Sequence, residues 1–465
     1  MKIVNPATGT VLKEVSEDDA AAVAAKVARA RAAQPGWAAT PLDTRLGAIT
    51  RFRDAVVASK EELALLLTRE MGKPIAQARN ELSALPGRID FFLRKTPEVL
   101  ADETVLVEGE PGAPALQEPS LQEIVGFEPL GVIANVSAWN YPYFVGSNVF
   151  VPALLTGNAV LYKPSELTTL TGLRMVELLH QAGVPADVMI AVVGGGATGA
   201  ALVAGDVDGV FFTGSFATGK RIADAVAGRM IKLQLELGGK DPTYVCDDVN
   251  VQAAAESLAD GAMYNNGQSC CSVERIYVQR KIYPAFLEAF ANTVRGFVVG
   301  APEDANTYIS ALARRDQLSV LEAQVADALA KGGRLLVGGK RVTPDGGAFQ
   351  PTVVADATDD MTLMREESFG PVIGIAPVDD DDEAVRRMND NDYGLTAGVY
   401  SANRERARAI LTRVDAGSVY WNCCDRVSPR LPWTGRKHSG IGSTLSTHGI
   451  RTFLQPKAWH LRKAG

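Results

Sequence analysis

The sequence predicts an α/β fold built from two large units, each a parallel sheet covered by helices, with two smaller segments outside them. Three observations carry this. The chain has 465 residues, enough for several domains at about 100–200 residues each. Between residues 129 and 245, short apolar runs alternate with helical stretches, as strands buried on both faces require. After Asp247 a second alternation of the same kind begins.

The elements follow in order. Residues 16–33 are Ala-rich and helical, with Ser16 three residues ahead of Asp19 in the manner of a capping box, and Pro35-Gly36 is expected to stop that helix. Helices are expected over 42–59 and 60–71, before Gly72-Lys73-Pro74 breaks the chain. Residues 108–119 are rich in Pro, Gly and Glu, and the strand-like 121–127 follows, so an exposed ribbon is expected there. Strands are then expected at 131–136, 159–162, 188–193, 209–212, 231–235 and 242–245. The second unit should hold helices at 251–264 and 282–294 and strands at 335–337, 372–378 and 398–401. The acidic run 379–383 suits a solvent-facing helix N-terminus.

Composition narrows the function. Lys and Arg number 47 against 54 Asp and Glu, a net charge of −7, with 46% hydrophobic residues. A weakly acidic globular chain without a long basic run points away from nucleic acid as a partner. Five Cys and four scattered His exclude a disulfide scaffold and offer no zinc spacing, so no metal site is expected. The uncharged stretch 129–162 is interrupted by Asn135, Asn140, Pro142, Asn148, Pro152 and Asn158, which no spanning helix of about 20 apolar residues tolerates. No apolar leader precedes residue 9, and the expectation is a cytoplasmic protein without a membrane partner.

Two glycine clusters follow apolar strands. Gly194-Gly195-Gly196-Ala197-Thr198-Gly199 matches G-x-G-x-x-G, a weak sign of a dinucleotide pyrophosphate site when it stands alone. Phe212-Thr213-Gly214-Ser215-Phe216-Ala217-Thr218-Gly219 also leads into a helix, whose N-terminal amides suit phosphate.

Four segments decide together: Trp139-Asn140-Tyr141-Pro142, Lys163-Pro164-Ser165-Glu166, Glu236-Leu237-Gly238-Gly239-Lys240 and Gly267-Gln268-Ser269-Cys270. With Glu366-Glu367-Ser368-Phe369-Gly370-Pro371 and Ser439-Gly440-Ile441-Gly442, in this order, the chain resembles the aldehyde dehydrogenase superfamily over essentially its whole length. The resemblance implies a Rossmann-like NAD-binding domain (1–107 and 129–240) and an α/β catalytic domain (241–428). It further implies a small β oligomerisation flap (108–128 and 452–465) and a return segment (429–451) that closes the substrate tunnel. A homodimer or homotetramer would follow from the flap's open sheet edge.

The same resemblance gives the residues their roles. Cys270 would attack the aldehyde, since a thiolate is a strong nucleophile. Asn140 and the Cys270 amide would hold the oxyanion. Glu236 would activate water to hydrolyse the thioester; its presence favours a free acid over a CoA thioester as product. Lys163, Ser165 and Glu166 would meet the adenosine ribose, and a carboxylate there disfavours a 2′-phosphate, so NAD is expected over NADP. Gly214, Ser215 and Gly219 would form the pyrophosphate loop, with Glu367 and Phe369 at the nicotinamide end. Tyr141, Phe144, Val145, Asn148, Ser269, Cys271, Asp425, Val427 and Trp433 fall at tunnel positions. Trp433 stands in Pro432-Trp433-Thr434-Gly435, where most members have Pro-Phe-Gly-Gly. Members acting on succinic semialdehyde often have Arg at the position of Asn148. Its absence, with Tyr141, Phe144 and Trp433, leads us to expect an uncharged or aromatic aldehyde, with a succinic-type semialdehyde, or a non-catalytic structural or binding relative, as the alternatives.

Overall fold

The computed structural model describes residues 1–108 and 119–463; residues 109–118 of the expected ribbon, and 464–465, lie outside them. The chain opens on a hairpin of β1 (Lys2–Val4) and β2 (Val11–Glu14). The first helix, α1 (Ala20–Ala38), differs from expectation at both ends. Asp19 is itself the cap, accepting from the Ala22 amide at 2.8 Å, so Ser16 lies outside the helix. Pro35 does not stop it, because buried Trp37 donates its indole N–H to the Leu154 carbonyl at 2.9 Å and pins the last turn to the core. Helices α2 (Leu42–Ala58) and α3 (Lys60–Met71) follow, and α3 ends on Gly72 in the left-handed region (φ 77°).

Helix α4 (Ile75–Leu100) has no counterpart among the expected elements. Pro86-Gly87 and Pro97 hide it in the sequence. Its buried stripe of Ala78, Leu82, Leu85, Ile89 and Phe92 keeps helical spacing and packs into the core. Two charged side chains on it are buried as well, Glu81 and Arg88.

A three-stranded antiparallel sheet then sets β4 (Leu121–Pro129) beside β3 (Glu103–Glu108). The first six-stranded sheet comes from β5 (Val132–Val136), α5 (Pro142–Leu155), β6 (Ala159–Lys163), α6 (Thr169–Gln181), β7 (Met189–Ala191) and α7 (Gly196–Ala204). It is completed by β8 (Gly209–Thr213), α8 (Phe216–Val226) and β9 (Lys232–Glu236). These five strands are parallel in the order β9-β8-β5-β6-β7.

The second unit contains β10 (Pro242–Val245), α9 (Val251–Met263), β11 (Arg275–Gln279), α10 (Tyr283–Arg295), α11 (Gln317–Ala330), β12 (Arg334–Val337) and β13 (Thr352–Ala355). It continues through α12 (Thr362–Arg365), β14 (Val372–Val378), α13 (Asp381–Asn389), β15 (Tyr393–Gly394), β16 (Thr396–Tyr400), α14 (Arg404–Thr412) and β17 (Ser418–Trp421). Its seven-stranded sheet, β12-β13-β14-β11-β10-β16-β17, is parallel except for β12. Alternate residues feed two cores, as in β11, where Ile276 and Val278 face one and Tyr277 the other. The acidic run starts α13 as expected, with Asp380 capping the Glu383 amide at 2.8 Å.

The chain then returns. A short β18 (Arg436–Lys437) pairs with β15, and β19 (Gly440–Ile441) adds antiparallel to β9 as the sixth strand of the first sheet. Helix α15 (Ser446–Arg451) leads into β20 (Leu454–Arg462), which pairs with β4 over nine residues. Among the described residues no helix is long and apolar enough to cross a membrane.

One buried contact ties α4 to this frame. Glu81 accepts the Lys73 ammonium at 2.6 Å and the Tyr143 amide at 3.0 Å, at the N-terminus of α5. Glu81→Ala strands a fully buried cation and is expected to cost ~3–5 kcal/mol of stability, read as a lower urea midpoint.

Candidate active site

The loops leaving the carboxyl ends of β5, β6, β8 and β9 enclose a groove of about 670 Å³, the place where open parallel sheets bind ligands. Lys163, Ser165 and Glu166 line it, together with Gly214 and Ser215 and with Glu367, Phe369, Asn140 and Cys270. Ser215 caps α8 and accepts from the Thr218 amide, leaving the first amides of that helix toward the groove, where a pyrophosphate fits. Gly196 and Gly199, from the first glycine cluster, line the same wall. Gly219 does not. It is buried inside α8, and a Cβ there would meet Leu237 at 2.5 Å, so its role is helix-to-loop packing. Lys163 is buried with its ammonium 3.9 Å from the half-exposed Glu166 carboxylate, and burial pushes the amine down. Arg221, Arg314 and Gln317 also line the groove; no motif pointed to them.

At the far end Trp139 and Phe369 meet edge to face at 5.3 Å, and Phe369 has a left-handed backbone (φ 45°). The Glu367 carboxylate accepts from the Gly239 amide at 3.1 Å. Burial, with Glu274 nearby, pushes its carboxyl up to about 8. A Cβ on Gly238 would collide with that carboxylate, which is the reason for glycine there. The groove therefore fits a nicotinamide dinucleotide by its donors, its glycine-lined wall and its paired aromatic rings.

The approach to Cys270 is unusual backbone. Asn265, Asn266 and Gly267 have φ of 55°, 58° and 70°, three left-handed residues in a row, each unfavourable outside glycine and asparagine. Side chains hold them there. Asn265 donates to the carbonyls of Asn140 (3.1 Å) and Gln268 (3.0 Å), and its own amide donates to the Gln77 carbonyl oxygen Oε1 at 2.8 Å. The Asn140 amide donates to the Gln268 carbonyl at 3.2 Å, which brings it to the Cys270 loop with a second N–H to spare.

Glu236 ends β9 and is buried. Its carboxylate accepts from the Thr444 hydroxyl, from Gln234 Nε2 at 3.2 Å and from the Thr213 hydroxyl at 3.4 Å. Burial pushes it up to about 6, while these donors hold it down. A carboxylate so placed takes a proton near neutrality. Gln234 and Thr444 were not legible as site residues, because they act only through Glu236.

The expected tunnel residues fall into two groups. Tyr141 and Phe144 are half-buried and stacked, centroids 6.2 Å apart. Lys73 lies over the Tyr141 ring (3.9 Å) and Arg88 over Phe144 (4.1 Å). Val145 and Val427 are half-buried. Asn148 is buried and accepts from Arg88 Nη1 at 2.9 Å. Behind Cys270, the buried Cys271 thiol donates to Asp425 at 3.0 Å and lies 3.4 Å from the Ser269 hydroxyl. A hydrogen bond with Cys270, burial and Asp425 push that thiol well up, so it stays protonated. Trp433 is buried in the first core, its backbone paired with Thr444.

A dinucleotide groove on one parallel sheet, ending on a thiol carried by a second α/β unit, defines a nicotinamide-dependent oxidoreductase. The profile described as "Aldehyde dehydrogenase family" matches residues 1–459, and the chain belongs to that family. It is 35% identical to a betaine aldehyde dehydrogenase of Cereibacter sphaeroides, over 98% of this chain and 92% of the relative. It is 34% identical to a putative succinate-semialdehyde dehydrogenase [NADP(+)] of Mycolicibacterium smegmatis, over 96% and 86%. The structure of an indole-3-acetaldehyde dehydrogenase in complex with NAD+ superposes with a TM-score of 0.94 at 32% identity, covering 100% of this chain and 93% of that one.

Thr444→Val removes a donor to the ionised Glu236. One neutral hydrogen bond is worth ~0.5–1.5 kcal/mol, so the acid limb of the hydrolytic rate should move from about 6 upward by ~0.5–1 pH unit. The pH profile of kcat checks it.

Proposed function

We propose that the chain oxidises an aldehyde to the free carboxylic acid, with NAD preferred over NADP. The observation that carries this is the groove lined by both Cys270 and Asn140, with the buried carboxylate of Glu236 at the end of β9, one of the strands whose loops wall it.

Cys270 Sγ adds to the carbonyl carbon and forms a thiohemiacetal. Its oxygen takes the free N–H of Asn140 and the Cys270 backbone N–H; donors preorganised in this way are worth ~3–4 kcal/mol of barrier each. The nicotinamide, when bound, supplies the hydride acceptor. Lys163, Ser165 and Glu166 hold the adenosine ribose, the amides of Gly214 and Ser215 the pyrophosphate, and Glu367 the second ribose. With the hydride gone, Cys270 carries a thioester. Glu236 takes a proton from water, the hydroxide adds to the thioester carbon, and the C–S bond breaks to release acid and thiol. The donors on Glu236 keep enough of it ionised at neutral pH for this step.

Glu166 supports NAD, since a carboxylate facing the ribose repels a 2′-phosphate. The relatives use both cofactors by name or by complex. Their substrates differ too: betaine aldehyde carries a cation away from its carbonyl, and succinate semialdehyde an anion. The aromatic positions support an uncharged or aromatic aldehyde less than their sequence suggests, because Lys73 and Arg88 each occupy one face of a ring.

Glu236→Gln should lower kcat by ~10²–10⁴ and leave a first-turnover burst of NADH equal to the enzyme present. Steady turnover at the wild-type rate would remove Glu236 from hydrolysis. Glu166→Ala should narrow the NAD-over-NADP preference in kcat/KM by about tenfold, the equivalent of ~1.4 kcal/mol.

A further inference from the structure

Glu236 is buried, at 7% exposure, and does not line the groove that holds Cys270 and Asn140, whereas the half-buried Thr213 does. The two residues are cross-strand neighbours. Thr213 ends β8, Glu236 ends β9, and the parallel register pairs them directly. Their side chains therefore leave the sheet on the same face, from backbones about 4.8 Å apart.

The two oxygens of the Glu236 carboxylate differ. Oε1 accepts from the Thr444 hydroxyl and from Gln234 Nε2 at 3.2 Å. Oε2 has a single partner among the described residues, the Thr213 hydroxyl at 3.4 Å. With Oε1 taken by two donors, the oxygen open to a proton is Oε2. Nor does either partner of Oε1 lead to the groove, since Thr444 and Gln234 are both buried and neither lines it. Among the described residues, Thr213 is the one hydroxyl that touches both the carboxylate and the groove. A hydroxyl has one donor and two acceptor sites, so Thr213 can accept a proton from a groove water while giving its own to Oε2. Catalytic hydrogen bonds as long as this one tighten when the reacting groups arrive.

We infer that Thr213 is a catalytic residue of the hydrolytic step, carrying the proton of the attacking water to Glu236. In one concerted movement an O–H bond of the water breaks and its proton bonds to Thr213 Oγ1. The proton already on Oγ1 passes to Glu236 Oε2, and the electron pair left on the water oxygen adds to the thioester carbon. Thr213 ends as a neutral hydroxyl, with no alkoxide formed. Collapse of the adduct breaks the C–S bond and leaves the acid, the Cys270 thiolate and a protonated Glu236. The inference rests on the proposed hydrolysis by Glu236 and adds the group through which that base works.

The test uses the full chain and 4-nitrophenyl acetate, which acylates Cys270 without the cofactor and so sets aside any contact of Thr213 with a dinucleotide. Wild type should give a stoichiometric burst of 4-nitrophenolate and then turn over at the deacylation rate. Thr213→Val keeps the shape and loses the hydroxyl; the burst should remain while the steady rate falls ~10²-fold, the low end of a general acid–base contribution. Thr213→Ser should recover most of that loss. Hydroxylamine, which attacks the thioester as a neutral amine, should restore turnover in Thr213→Val and give the hydroxamate. A steady rate in Thr213→Val equal to wild type, or an equal loss in Ser and Val, overturns the relay. In wild type the steady rate plotted against D2O fraction should bow, as two protons moving together require. A straight line overturns the relay without any variant. The hydrolysis reading is separable: an undiminished steady rate in Glu236→Gln removes base and relay together, whereas a slow Glu236→Gln beside a fast Thr213→Val removes the relay alone. No burst from wild type removes Cys270 as the nucleophile, and the relay with it.

Discussion

The active site hangs on one buried carboxylate, Glu274. It takes the Lys240 ammonium at 2.6 Å and the backbone amides of Ser368 and Phe369 at 3.1 Å each. Lys240 also donates to the Ser368 hydroxyl at 3.1 Å. Three stretches far apart in the chain therefore meet on a single anion: the link after β9, the start of β11 and the loop before β14. Phe369 keeps its left-handed backbone because its amide is spent on Glu274, and Glu367 is thereby turned to the Gly239 amide. In a low-dielectric interior such an anion is tolerable only when fully satisfied, and here one of its partners, Phe369, lines the groove itself.

Glu81 repeats the device on the other side. It joins Lys73 to the amides of Tyr143 and Phe144, so the loop bearing Asn140 enters α5 at a set angle. Asn265 then bridges Asn140 to the Cys270 loop. The loops bearing Cys270 and Asn140 come from different sheets, and polar side chains buried between them fix their relation. The left-handed Asn265-Asn266-Gly267 run costs conformational energy, and these hydrogen bonds offset it.

Much of this was legible in the sequence, for a physical reason. Parallel strands buried on both faces must be apolar, so they stand out as short hydrophobic runs, and the cofactor residues lie just past their carboxyl ends. Asn140, Lys163, Glu166, Glu236 and Cys270 sit in short segments whose residue order is itself the signal. Helix α4 was missed because Pro86-Gly87 and Pro97 read as breaks, while its apolar stripe packs well enough to outweigh them. Gly219 was misjudged because a glycine needed for close packing carries the same letter as one needed for phosphate.

By itself the sequence determined the α/β class, the strand-and-loop order and the candidate residues of the site, because local pattern and motif order are properties of the chain alone. Only the tertiary structure decided what those residues touch. Arg88 lies 60 positions before Asn148, and Thr444 lies 208 after Glu236; no local pattern links them. Burial turns those distant pairs into strong interactions, since a charge or donor removed from water responds to whichever partner the fold places against it. The carboxylate that takes a proton near neutrality is a product of that placement.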